Sequence, residues 1–163
     1  MHTTRLLLLG ALTLALVGGP SAAVTAQDDE PVPADLVAAT EANEAAYTEA
    51  FWAEDIDTVM ATFTDDVVFE DQLFGDHLEG ARAVRGMDEA VSQIADPRSN
   101  EVIDQSIAAD GSRAVQILRW RGVSGSGRPF DIPTLAVHEY RDGRIAREVM
   151  YYAARDTYDQ LTQ

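Results

Sequence analysis

The sequence predicts a single α+β domain in which a curled antiparallel sheet covers helices on one face. Three observations carry that prediction. Apolar residues at helical spacing are concentrated before Asn100, whereas strand-like alternation dominates after it. The late strands are punctuated by Asp110-Gly111, the loop "SGSGRP" and Asp142-Gly143, which are turn signals of the hairpin kind. Helices early and strands late fit an α+β domain better than a βαβ repeat. At 163 residues with 46% hydrophobic content, the chain is the length of one domain and has ample material for a core.

The first segment reads as an address. Arg5 precedes an uncharged, mostly apolar run from Leu6 to Val17, Gly18, Gly19 and Pro20 break it, and small residues follow to Ala26. This is the pattern of a secretory signal peptide, with cleavage expected after Ala26 and with Ala23 as the alternative site. The run is shorter than the roughly 20 residues of a spanning helix, which leaves a retained anchor as the lesser alternative. Residues 1–26 are thus a signal peptide, 27–35 ("QDDEPVPAD") an acidic, proline-containing leader, and 36–163 the folded domain. The expected location is outside the cell or in its envelope. The absence of cysteine excludes a lipobox anchor and any disulfide staple.

A first helix starts at Asp35, a plausible N-cap, with Leu36, Ala39, Ala42, Ala46 or Tyr47, and Ala50 or Phe51 on its apolar face. A second is capped by Asp55 or Asp57 and buries Ile56, Val59, Met60 and Phe63. "DVVFEDQ" then reads as a strand with Val67, Phe69 and Asp71 on one side. A third helix over 81–94 turns Val84, Met87, Val91 and Ile94 inward. Strands are expected over 101–108, 113–123, 130–140 and 144–154, and a short closing helix over 156–161.

If Asp142-Gly143 is a two-residue hairpin, Arg141 faces Arg144, Val137 faces Glu148 and Leu135 faces Met150. That register puts Leu135, Val137, Ala146, Glu148, Met150 and Tyr152 on the concave side. It puts Thr134, Ala136, His138, Tyr140, Ile145, Arg147, Val149 and Tyr151 on the convex side, where Thr134, Ala136, Tyr140, Ile145, Val149 and Tyr151 make a surface apolar enough to predict a homodimer. A one-residue bulge would invert this assignment.

The succession "AEDIDTVMATFTDDVVFED", "GDHLEGARAVRG" and "GRPFDIPTLAVHEYRDGRIAREVMYYAARDTYDQL" resembles the SnoaL-like polyketide cyclase family. That family lies within the broad group that also holds nuclear transport factor, ketosteroid isomerase and limonene epoxide hydrolase. The resemblance covers about 38–161. It implies a conical, cystatin-like curved sheet around a deep apolar pocket, often in a homodimer. It also implies an acidic residue beside the aromatic pair of the last strand. Met150 and Ala153 stand at those places, so the hydrolase-type carboxylates do not carry over.

Other carboxylates remain as catalytic candidates. Asp71 ends the first strand, Glu148 shares a predicted face with Tyr152, and Asp131 is a weaker third. A carboxylate in an apolar pocket gains a raised pKa and becomes useful as a general acid or base. The alternatives are that Glu148 pairs with an arginine at the rim and that Asp71 caps the turn before Leu73. Trp120, Leu135, Val137 and Met150 are the expected ligand-binding walls, with His77 at the mouth.

No second histidine stands at ligand spacing from His77 or His138, so no metal is expected. No Gly-rich phosphate cradle or nucleophile motif is present, so no cofactor is expected either. The net charge of −16, with all twelve basic residues arginine, argues against nucleic acid and membrane surfaces as partners. Arg119 and Arg121 beside Trp120 are read as salt-bridging residues on a sheet. The leading functional reading is an exported domain that binds a small apolar molecule. An isomerase- or cyclase-type enzyme using a pocket carboxylate, with Tyr152 as hydrogen-bond donor, and a non-catalytic dimeric scaffold are the alternatives.

Overall fold

The computed structural model describes residues 34–153, 157 and 159–161; the expected signal peptide and 27–33 of the expected leader lie outside them, as do 156 and 158 of the closing helix, whereas Ala34 and Asp35, assigned to the leader, open the first helix. In chain order the elements are α1 (Ala34–Trp52), α2 (Ile56–Ala61), β1 (Phe63–Asp71), β2 (Asp76–Glu79), α3 (Ala81–Ile94), β3 (Ala95–Ile107), β4 (Arg113–Ser124), β5 (Pro129–Arg141) and β6 (Arg144–Tyr152). Thr157 and 159–161 are helical, in agreement with the expected closing helix. The six strands form one sheet in the order β2-β1-β6-β5-β4-β3. The α+β class is as expected, but the sheet is mixed, because β1 runs parallel to β6. A crossover through α3 and four strands makes that parallel pairing sterically possible.

Local chemistry accounts for the helix boundaries. Asp55 caps α2 by accepting from Thr58 N at 3.1 Å, and Phe63, expected on that helix, opens β1 instead. Asp35 lies inside the first turn of α1, where its charge favours the helix N-terminus. The buried stripe of α1 is Thr40, Glu44 and Tyr47, with Ala50 and half-buried Phe51 below, whereas Leu36 and Ala42 are exposed. Two polar residues therefore occupy a face that was expected to be alanine. On α3, Val84 is buried and Met87 and Val91 half-buried, as their spacing predicts; the Ile94 side chain lies outside the description.

The β5–β6 hairpin turns at Asp142 (φ 53°) and Gly143 (φ 73°), the pair of left-handed residues that a tight two-residue turn requires. Arg141 faces Arg144 as predicted, and Tyr140 faces Ile145. The register then shifts: Glu139 faces Arg147, leaving Ala146 as an extra residue in β6. Beyond this bulge His138 faces Glu148, Ala136 faces Met150 and Leu135 faces Tyr151. The bulge inverts β5 and leaves β6 as predicted from Arg147 onward, while Ile145, before it, turns inward. Phe130, Ile132, Thr134, Ala136 and His138 all turn inward and are buried, while Leu135 and Val137 turn outward. Thr134, Ala136, His138, Tyr140 and Ile145 are thus lost to the convex face to which the register assigned them.

Candidate functional site

A cavity of about 360 Å³ lies between the helices and the inner face of the sheet. Side chains from β1, β3, β4 and β6 all reach it, which requires the sheet to be concave there. Phe51, Phe63, Phe69, Val84, Met87 and Met150 make most of the wall, and Leu161 closes one side. The polar members are Tyr47, Asp71, Asp76, Asp88, Asn100, Glu148 and Tyr152, with the Trp120 indole beside them.

Behind the wall sits a buried charge relay. Glu148, 2% exposed, accepts from the Tyr47 hydroxyl at Oε1 (3.2 Å), and the same oxygen stands 3.5 Å from His138 Nε2. The other ring nitrogen, Nδ1, is 2.7 Å from Glu44 Oε1, which also accepts from the Tyr140 hydroxyl at 2.7 Å. A fully buried imidazole would ordinarily lose its proton, since burial disfavours the charged form. Here hydrogen bonding and charge from Glu148 and Glu44 win, pushing His138 up to about 10. The ring is therefore an imidazolium at neutral pH, with a carboxylate at each nitrogen. Burial and the same two carboxylates hold the Tyr47 and Tyr140 phenols well above their ordinary value.

A second buried pair sits on the cavity wall. Arg98 Nη2 is 2.9 Å from Asp88 Oδ1, and the guanidinium lies 4.3 Å over the Phe51 ring. Burial raises the Asp88 carboxyl, and Arg98 offsets this only in part. At the mouth, Asp71 Oδ1 accepts from Leu73 N (2.8 Å) and Phe74 N (2.9 Å). Asp71 is thus both the cap of its turn and a wall of the cavity. Burial first, then the charges of Asp71 and Glu148, hold the Tyr152 phenol well above its ordinary value, so it remains a donor.

A family model for the SnoaL-like domain matches residues 44–148. The chain belongs to the SnoaL-like domain family. No curated protein matches it significantly. Among solved structures, it is similar to a candidate polyketide cyclase from Pseudomonas putida, at 25% identity and TM-score 0.66 over 76% of this chain and 98% of that one. A protein of the nuclear-transport-factor-like fold from Burkholderia pseudomallei aligns with TM-score 0.70 at 17% identity, over 77% of this chain and 98% of that one. A limonene-epoxide-hydrolase-like enzyme from Mycobacterium tuberculosis aligns with TM-score 0.66 at 21% identity, over 77% and 86%. These last two likenesses establish the fold alone.

Within this SnoaL-like domain the structure brings Asp71, Glu148, Tyr152, Trp120 and Met150 to one cavity. It does not bring Leu135, Val137 or His77 there. Leu135 and Val137 lie on the outer face because of the bulge at Ala146. His77 sits on β2, an edge strand, exposed and near Glu70 (3.6 Å) and Glu79 (3.3 Å). Asp131 is outside too, bonded by Arg119 at 2.7 Å and Arg121 at 3.2 Å, the salt-bridging arrangement expected of those arginines.

Sequence reasoning missed Glu44, Asp88, Arg98 and His138. Asp88 is recoverable, since it lies four residues after Val84 and three before Val91 on the inward stripe of α3. Glu44 had no comparable signal, because α1 is alanine-rich all round. Among the described residues no group of three His, Asp or Glu side chains is placed to hold a metal ion.

Proposed function

We propose that this SnoaL-like domain is exported and holds a small hydrophobic molecule in its cavity. The observation that carries the reading is the wall itself: aromatic and aliphatic side chains around about 360 Å³, with polar groups few and fixed. Tyr47, Tyr152 and the carboxylates they face would orient the guest rather than supply most of its binding energy, which comes from the apolar area removed from water.

Binding to the folded state raises the unfolding midpoint as free ligand exceeds the dissociation constant. A panel of steroid-like, polyketide-like and terpenoid compounds should therefore include some that raise the midpoint of the mature protein, whose intact mass is expected to start at Gln27. Met87→Trp, which fills the cavity from α3, should abolish the shift while the far-ultraviolet spectrum stays unchanged. A full panel without any shift, or an undiminished shift in Met87→Trp, overturns the reading.

A second reading is favoured by one observation, the raised carboxyl of Asp88 on the wall that also carries the protonated Tyr152. An acid-base group and a neutral donor in one apolar cavity are what proton transfer at carbon requires. If Asp88→Asn or Glu148→Gln removes a measurable isomerisation or cyclisation while ligand affinity survives, the domain is an enzyme.

A further inference from the structure

The cavity wall is unbalanced in charge. Asp71, Asp76, Asp88 and Glu148 line it, and no arginine or histidine among the described residues does. Two of the four are neutralised from behind, Asp88 by Arg98 and Glu148 by His138. The other two are not. Asp71 and Asp76 face each other across the β1–β2 ladder, and among the described residues neither is within ion-pair distance of a cation. Like charges directly opposite one another in a sheet destabilise it, so the mouth of the cavity carries a repulsion that the Leu73 and Phe74 amides on Asp71 and solvent at Asp76 ease but no cation among the described residues answers.

Hydrogen-bonding capacity is unbalanced in the same direction. Asp88 is 5% exposed, yet its Oδ2 has no hydrogen-bond partner among the described residues. The contacts made by Glu148 with Tyr47 and His138 all fall on Oε1. The wall donors Tyr47 and Tyr152 are turned toward carboxylates, which leaves acceptor oxygens in excess. Trp120 Nε1 is a buried wall donor without a partner, but a neutral indole offsets none of the charge. An unpaired buried carboxylate oxygen is costly to leave so, and a ligand that brings N–H donors and positive charge relieves that cost. The rest of the wall suits the same guest: Phe51, Phe63, Phe69, Phe74, Trp120 and Tyr152 present ring faces, which attract cations as well as apolar groups.

We infer that the cavity is selective for hydrophobic amines, bound as ammonium ions with the apolar body against the aromatic wall and the positive charge answering the wall carboxylates. This rests on the ligand-binding reading above and narrows its chemical class. Net charge of −16 on the chain adds a long-range attraction for the same cations.

Three probes of one shape separate the cases: 4-phenylbutylamine, its uncharged counterpart pentylbenzene, and the anion 4-phenylbutyrate. Titration calorimetry on the full chain at pH 7 should give the amine at least tenfold tighter binding than pentylbenzene, and no binding of the anion. The double variant Asp71→Asn/Asp76→Asn should lose most of that preference while holding pentylbenzene as before. Asparagine keeps an Oδ1 for the Leu73 and Phe74 amides, so the turn is preserved. Equal binding of amine and hydrocarbon, or a preference untouched by the double variant, overturns the amine inference and leaves the cavity reading standing. Failure of all three probes to bind overturns the amine inference, and the compound panel above then decides the cavity reading by itself.

Discussion

The two faces of the sheet handle charge in opposite ways. On the inner face, Glu44, His138 and Glu148 are between 0% and 2% exposed, and the Arg98–Asp88 pair is nearly as enclosed. On the outer face, Arg113, Glu139, Arg147 and Glu70 form one ladder of ion pairs, and Glu101, Arg121, Asp131 and Arg119 form another, all in contact with solvent. The pairings are chemically alike. What differs is the medium, since water screens the outer pairs and the inner ones have only each other. The inner charges are therefore indispensable to one another, while the outer ones are individually replaceable.

The largest expected effect comes from His138. His138→Ala leaves Glu44 and Glu148 buried without their shared cation and should cost about 3–5 kcal/mol in denaturant unfolding. The pH dependence has a defined sign. Folding raises this group from 6.5 to about 10, so its contribution is complete below pH 6.5 and lost as pH rises through 10. Wild-type stability should fall over that window by at most ~1.4 kcal/mol per pH unit, and the fall should be missing from a His138→Gln variant. A flat wild-type profile would mean that the ring is neutral in the fold.

A far smaller effect is expected outside. Arg119→Ala should barely move the unfolding midpoint, and added salt should erase the difference, because the pair with Asp131 is open to water. A large loss would contradict the contrast drawn between the faces. The smallest effect on stability is expected at Ile117, which forms a row with Leu135 and Tyr151 across β4, β5 and β6 on the outer face. Ile117 and Tyr151 are each 46% exposed, and we propose that this row joins two copies of the chain. Light scattering at micromolar concentration should report a dimer that Ile117→Glu converts to a monomer without unfolding it; a wild-type monomer refutes the proposal.

Much of the fold was legible because its signals are local. The Asp142-Gly143 turn, the Asp55 cap and the stripe of α3 each depend on neighbours in sequence. Phe69 and Asp71 of β1 and the cavity residues of β6 followed from alternation, whereas Phe63 read as helical. What escaped depended on partners far along the chain. Glu44 is inside only because His138, 94 residues later, is there to meet it. His138 is inside only because of a bulge that alternation does not encode. Strand β2 is four residues long and holds one half-buried side chain, too few to leave a periodic signal.

The extra residue at Ala146 has an evolutionary corollary. Because Ala146 has no partner on β5, its loss would leave Tyr140 opposite Ile145, Glu139 opposite Arg147 and His138 opposite Glu148, and would change nothing that faces the cavity; loss of a paired residue further along β6, such as Val149, would instead turn Met150 outward and Tyr151 inward. Length variation at the bulge is therefore silent, and length variation beyond it is a one-step route by which a descendant of this domain would acquire a different guest.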